Sequence, residues 1–194
     1  ALTAEQQKKI KREWPGFHKI LLVVGQYTAH AATMECVEAF GRKHRIPVIA
    51  DIISNLHEIE NSITHTDLFL GQASQSLKER LKPDLLITYG KSLISKNLKI
   101  FLRKYPAKRH WHIQPAGPVA DTFKTLTDVF STTPEVFFDY LTTLDVPGSF
   151  ESQAEESYSK LWEAEEQRAV RIVDDFFGED ELSELGMVRA LLKA

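Results

Sequence analysis

Two uninterrupted apolar runs constrain this chain more than anything else in it. They are ILLVV at residues 20–24 and LLITY at residues 85–89, each closed by a glycine, Gly25 and Gly90. A strand with one wet face alternates apolar and polar residues. These runs do not alternate, so both of their faces must be covered, as in a parallel sheet with helices on each side. The intervening patterns supply the helices. In residues 29–42, Ala32, Cys36 and Phe40 fall four apart, with Val37 on the same side. Residues 73–81 read as helical. Ile94, Leu98, Phe101, Leu102 and Tyr105 trace the apolar side of a further helix. RIPVIADI (45–52), KRHWHIQ (108–114) and TLTDVFS (125–131) read as strands. Thr133 before Pro134 fits an N-cap followed by proline at the first helical position, and Phe137, Leu141 and Leu144 form that helix's buried stripe. Residues 53–72 read as a loop with a short element of no fixed place. Strands alternating with helices imply βαβ units, hence an α/β fold built on a doubly wound parallel sheet.

The chain divides into residues 1–16 as an N-terminal linker, 17–145 as the α/β domain, and 146–194 as a linker and C-terminal helical extension. The composition shift at Pro147 and Gly148 sets the second boundary. A charged helix is expected over about residues 154–177, capped by Gly178, with a second helix after Ser183. The chain does not begin with Met and ends at RALLKA with neither cap nor proline stop, which suggests a piece of a longer polypeptide.

A formal net charge of -3 gives no overall basic footprint for nucleic acid. No apolar run reaches membrane-span length and no secretory signal is evident, so a cytoplasmic setting is expected. One cysteine allows no disulfide within the chain and no cysteine-rich zinc site. Cys36 itself reads as a small buried hydrophobe. His110 and His112 share one strand face, with His30, His65 or Asp121 as conceivable third ligands. Nothing fixes their spacing, and no metal site is assigned. The acidic residues of 151–166 read as a solvated face with i,i+4 pairs to Lys160 and Arg168. The acidic cluster from Asp174 to Glu184 has no EF-hand pattern.

The segment ITYGKSLISKNLKIF (87–101) holds the most suggestive chemistry. A phosphate loop of the form GxxxxGK followed by Ser or Thr needs a glycine at position 85, which is Leu85, within the strand. After the first strand the chain reads GQYTAH, without the glycines of a dinucleotide fingerprint. What remains is a helix N-terminus that Ser92 or Ser95 can cap. Its free N–H groups are expected to point beyond the carboxyl edge of the sheet, with Lys91 and Lys96 beside them. Cations there oppose the helix dipole, which is a reason to expect an anionic partner.

VVGQ, PVIADIISNL, DLLITYGKSLISKNLKIFL and HWHIQPAG, in this order, resemble the central domain of thiamine-diphosphate enzymes of the 2-succinyl-5-enolpyruvyl-6-hydroxy-3-cyclohexene-1-carboxylate (SEPHCHC) synthase family, which acts in menaquinone biosynthesis. The resemblance runs from about residue 17 to 145, and the tail resembles the lead-in to that family's diphosphate-binding domain. It implies a Rossmann-like domain between two others that bind thiamine diphosphate and Mg2+ across a homodimer or homotetramer. It implies a parent that decarboxylates 2-oxoglutarate and adds the product carbanion to isochorismate. By the same resemblance this segment holds no catalytic and no cofactor-binding residue and is inactive alone. Lys96 matches the lysine of a Lys-Arg pair that faces isochorismate, while Asn97 stands at the arginine position; Lys91 and Ser95 are weaker candidates. Asn97 can hydrogen-bond a carboxylate but supplies neither charge nor a two-pronged fork. Two other readings stay open: a stand-alone nucleotide- or FAD-binding module, and a scaffold without substrate contact. The crevice has no assigned occupant, and a regulatory aromatic acid is one conceivable ligand.

Overall fold

The computed structural model of the chain describes residues 1–28, 30–56, 59–60, 62–145, 157–178, 186–187 and 191. Its centre is a parallel sheet of five strands: β1 (Ile20–Val24), β2 (Val48–Ala50), β3 (Leu85–Tyr89), β4 (Arg109–Ile113) and β5 (Asp128–Phe130). The spatial order is β2-β1-β3-β4-β5, and every pairing is parallel. The chain therefore reverses its direction of travel across the sheet between β1 and β3, which makes this a doubly wound sheet with its switch point there.

The pleat explains the two apolar runs. Ile20, Leu22 and Val24 of β1 enter one core, while Leu21 and Val23 enter the other. The first core lies under α1 (Ala4–Glu13), α2 (Ala31–His44) and α6 (Pro134–Thr143). Aromatic rings fill it: Phe40 against Phe138 at 4.9 Å, and Trp111 against Phe130 at 5.4 Å. The second core lies under α3 (Thr66–Gln72), α4 (Gln75–Leu81), α5 (Lys96–Lys104) and α7 (Tyr158–Gly178).

Element positions follow the sequence reading, and the ends differ for physical reasons. Helix α2 continues to His44, with Arg42 and Lys43 complementing its C-terminal dipole. Arg45 stops it in the left-handed region at φ 52°. Strand β2 then begins only at Val48, after Pro47. The 53–72 segment contains α3, which is only seven residues long, and Ile63 adds a parallel bridge beside Ile49 of β2. Thr133 is the N-cap residue of α6 but its side chain makes no capping bond; Pro134 opens the helix as expected.

Both terminal segments pack on the sheet. Residues 1–16 form α1 and a turn of 3-10 helix, and Ile10 and Trp14 are buried in the first core. Helix α7 lies along α3 and α4 and buries Trp162 completely, with Phe69 and Phe101 edge-on to it at 5.8 and 6.1 Å. Glu166, read as part of a solvated face, is buried instead. It accepts hydrogen bonds from the Thr64 and His65 backbone N–H groups and from the Thr64 hydroxyl, and it pairs with the His65 ring at 2.7 Å. The acidic positions 151–156 and 179–184, and the helix expected after Ser183, lie outside the described residues except at positions 186–187 and 191.

Candidate functional site

The loops that leave the carboxyl ends of the strands surround a crevice of about 1070 Å³. Gln26 and Tyr27 come from the loop after β1, and Ile52, Ile53 and Asn55 from the loop after β2. Lys91 follows β3, and Gln114 to Pro118 follow β4. Open α/β sheets bind ligands at this edge, next to the switch point.

The switch point itself is closed. The Gly25 N–H donates to the Tyr89 carbonyl at 3.0 Å, the Gln26 N–H to Ser92 at 2.8 Å, and the Lys91 N–H to Gln26 at 2.9 Å. A Cβ on Gly25 would stand 2.7 Å from the Ser92 carbonyl oxygen, and one on Gly90 would stand 2.8 Å from that of Gly25. Gly90 also has φ 84°, a backbone conformation open to glycine at little cost. The glycines that end β1 and β3 thus serve the close approach of two loops to each other, not of a backbone to a pyrophosphate.

The N-terminus of α5 differs from its sequence reading. The N–H groups of Ile94, Ser95, Asn97 and Leu98 there do not stand free. The Asp51 carboxylate, at the end of β2 and 6% exposed, accepts from the N–H groups of Ile94 and Ser95 at 2.8 and 3.1 Å. Asp67 of α3 accepts from Asn97 N–H at 2.7 Å, and the Ser95 hydroxyl caps Leu98 N–H at 3.2 Å. Ser95, not Ser92, is the N-cap. The anion that the dipole and the free donors call for is supplied by the chain itself.

The candidate residues separate accordingly. Ser95 is buried and its hydroxyl also meets that of Thr66 at 3.3 Å. Asn97 gives its side-chain amide to the Asp67 carbonyl at 2.9 Å and fits over Gly71, where a Cβ would come within 2.8 Å of it. Lys91 and Lys96 are exposed, and among the described residues neither ammonium makes a hydrogen bond or ion pair. Lys91 lines the crevice, while Lys96 stands outside it at the start of α5.

His110 and His112 do share a face, and Thr88 on β3 stands between them. Its hydroxyl oxygen lies 2.8 Å from a nitrogen of each ring. Burial holds His110 down at about 4, with His112 adding to the shift and Asp121 opposing it. Burial lowers His112 as well, against the hydrogen bond to Gln114. Of the conceivable third ligands, His65 is engaged with Glu166, and Asp121 with the N–H groups of Thr125 and Leu126. Among the described residues no three His, Cys, Asp or Glu side chains are grouped to hold a metal ion. Cys36 is buried with its thiol pushed up to about 12 by burial, with Asp139 and Glu135 adding to it.

Comparison with known proteins gives this geometry a family. Residues 3–193 match the family model described as "Middle domain of thiamine pyrophosphate" (TPP_enzyme_M_2). The chain belongs to that family. Its curated relatives include the 2-succinyl-5-enolpyruvyl-6-hydroxy-3-cyclohexene-1-carboxylate synthases of Cytophaga hutchinsonii, 28% identical over 90% of this chain and 29% of the relative, and of Bacteroides thetaiotaomicron, 28% identical over 92% and 30%. The synthase of the same name from Flavobacterium johnsoniae is 34% identical over 63% of this chain and 22% of its own length. The chain therefore spans about three tenths of the curated relatives it matches along most of its length. As a member of the middle-domain family it has the parallel, Rossmann-like sheet, and it has no described helix long and apolar enough to cross a membrane. The described residues do not fit the family's cofactor. The closed switch point leaves a diphosphate no glycine cradle, and Asp51 and Asp67 already accept from the Ile94, Ser95 and Asn97 N–H groups at the start of α5.

Proposed function

We propose that this chain is the middle domain of a SEPHCHC synthase. The parent would be a cytoplasmic, thiamine-diphosphate- and Mg2+-dependent transferase that joins 2-oxoglutarate, after loss of carbon dioxide, to isochorismate. The relatives' shared name supports that reaction, and the lysines at the sheet edge support a share in it for this domain. That share is to join the cofactor-binding parts of a homodimer or homotetramer and to present positive charge to the substrate.

The observation that carries the second role is a pair of ammonium groups at one sheet edge that have no hydrogen bond or ion pair among the described residues. Lys91 and Lys96 flank the turn between β3 and α5. Asp51 and Asp67 accept from the N–H groups of Ile94, Ser95 and Asn97, so both carboxylates are turned to the backbone and, among the described residues, neither pairs with a lysine of this turn. Isochorismate carries two carboxylates, and a lysine ammonium contacts one as a point charge. Asn97 is bound to α3, so its share in this reading is to fix the first turn of α5, and thereby Lys96, rather than to touch substrate.

In the full-length enzyme, Lys96→Ala should raise KM for isochorismate, or lower kcat, by about tenfold or more, the loss of one charge-assisted contact. The fold should be intact by circular dichroism. Kinetics equal to the parent's in that variant would reject the substrate contact and leave a scaffold role. Lys91→Ala, measured the same way, tells whether the crevice side of the turn shares the task.

A further inference from the structure

Lys96 stands between two backbone clamps. Ser95 caps α5 locally, through its hydroxyl and the Leu98 N–H. Two carboxylates from distant elements hold further N–H groups of the same segment. Asp51 Oδ2, at the end of β2, accepts from the N–H groups of Ile94 at 2.8 Å and Ser95 at 3.1 Å. Ile94 lies ahead of the first helical residue, Lys96, so this bond fastens the connection into α5 rather than the helix itself. Asp67 Oδ1, on α3, accepts from the Asn97 N–H at 2.7 Å. The residue before Lys96 and the residue after it are thus each held by a carboxylate from another element.

Both clamps stand on fixed ground. Asp51 is buried, and its own N–H donates to the Val24 carbonyl of β1 at 3.2 Å. Its carbonyl accepts from the Ser54 N–H at 2.7 Å, and its Oδ1 accepts from the Ile53 N–H at 3.3 Å. Asp67 follows directly on the Thr64 and His65 backbone that Glu166 of α7 binds. The side chain of Lys96 is exposed by contrast. A lysine stem is flexible, so on a loose backbone it would spread its charge over a wide volume. On a fixed backbone that volume narrows to the rotamers of the stem, and misplacement of a contact by as little as 1 Å can cost a large share of its effect.

We propose that Asp51 and Asp67 are positioning residues for the reaction: they fix the 94–97 backbone from which Lys96 presents its ammonium to a carboxylate of isochorismate. This rests on the reading of Lys96 as a substrate contact, and adds that the contact depends on two carboxylates that act through the backbone. A purely structural role would disturb the use of both substrates alike. It would also cost the same with and without the Lys96 ammonium. Positioning acts on one substrate and only while the ammonium is there.

The test is steady-state kinetics of the full-length enzyme with each substrate varied in turn. Asp51→Ala and Asp67→Ala should each raise KM for isochorismate by about threefold or more and leave KM for 2-oxoglutarate within about twofold. Added to Lys96→Ala, either substitution should cost less than about twofold more, since no ammonium is left to misplace. Asp67→Asn keeps an oxygen for the Asn97 N–H and should restore the parent's KM. Hydrogen exchange across 92–98 should quicken in both alanine variants. Parental KM or unchanged exchange in the alanine variants would overturn the positioning role. So would equal shifts for both substrates, a full effect in the Lys96→Ala background, or an Asp67→Asn enzyme as impaired as Asp67→Ala. Parental kinetics in Lys96→Ala alone would instead reject the substrate contact, and the positioning role with it. If Asp51→Ala does not fold, the two variants of the exposed Asp67 decide.

Discussion

Asp51 shows how one side chain reassigns a whole turn. By pattern it is only the polar residue that ends a strand. In the fold its carboxylate closes the N-terminus of a helix that is not adjacent in sequence, 43 and 44 residues from the donors it accepts. Asp51→Ala should leave two N–H groups unpaired next to the second core and cost about 1–3 kcal/mol. Urea unfolding checks this, and a loss below about 0.5 kcal/mol would mean that solvent replaces the carboxylate without penalty. Gly90→Ala should be as damaging for a different reason. A methyl group there meets the Gly25 carbonyl at 2.8 Å, on a backbone at φ 84°. The same substitution at Gly16, which has nothing within 4 Å, should be nearly neutral by the same measurement.

At the scale of elements, α7 behaves as a strap whose hold is local. Trp162 fills a slot between Phe69 and Phe101, and Glu166 ties the helix to the turn before α3. Trp162→Ala should cost about 3–5 kcal/mol by emptying that slot. Amide exchange should rise in α7 and α3 before it rises in the sheet. Uniform exchange gains throughout would reject the strap. The tie has two pH limits. The Glu166 hydrogen bond raises His65 above 6.5, against the effect of burial. Burial works to raise Glu166, but the bonds from His65 and Thr64 leave it below 4.5. The His65 contribution is thus complete below pH 6.5 and fades as pH rises through its folded value. The Glu166 contribution is complete above 4.5 and fades as pH falls through its own. Glu166→Gln should flatten both limits in a stability-against-pH series.

The whole molecule is sensitive to acid through histidines buried neutral. His110, His112 and His44 all have values below 6.5 in the folded chain, chiefly through burial. A depressed histidine adds stability that is complete above 6.5 and lost as pH falls toward the folded value, which for His110 is about 4. That one residue accounts for ~3 kcal/mol across the interval. Thermal unfolding at pH 7.5 and pH 4.5 should show the loss, and His110→Asn, a neutral replacement of similar reach, should reduce it. Calorimetry with FAD, ADP and NAD on the 194-residue chain should show no micromolar binding, given the closed switch point. Micromolar affinity for any of them would favour the nucleotide-module reading over the substrate-positioning one.

The fold was legible because its signals are local. Ile20–Val24 and Leu85–Tyr89 cannot be half-exposed, and the helical stripes between them dictate the crossovers. Short elements were less so: α3 has seven residues and too little periodicity to stand out from a loop. The site was legible only in outline. Gly-Lys-Ser after a strand located the right edge of the sheet, and Leu85 removed the phosphate loop. No periodicity places Asp51 and Asp67 under the first turn of α5, Thr88 between two histidines, or Glu166 against Thr64 and His65. Those contacts join residues 22 to 102 positions apart. Period and propensity report on neighbours along the chain. Partnering of buried polar groups is settled only when the sheet brings distant loops to one edge. The sequence alone determined a doubly wound parallel sheet with two lysines at its carboxyl end. Only the tertiary structure decided that Asp51 and Asp67 accept from the N–H groups at the start of that helix, because only the folded sheet brings those carboxylates to one edge.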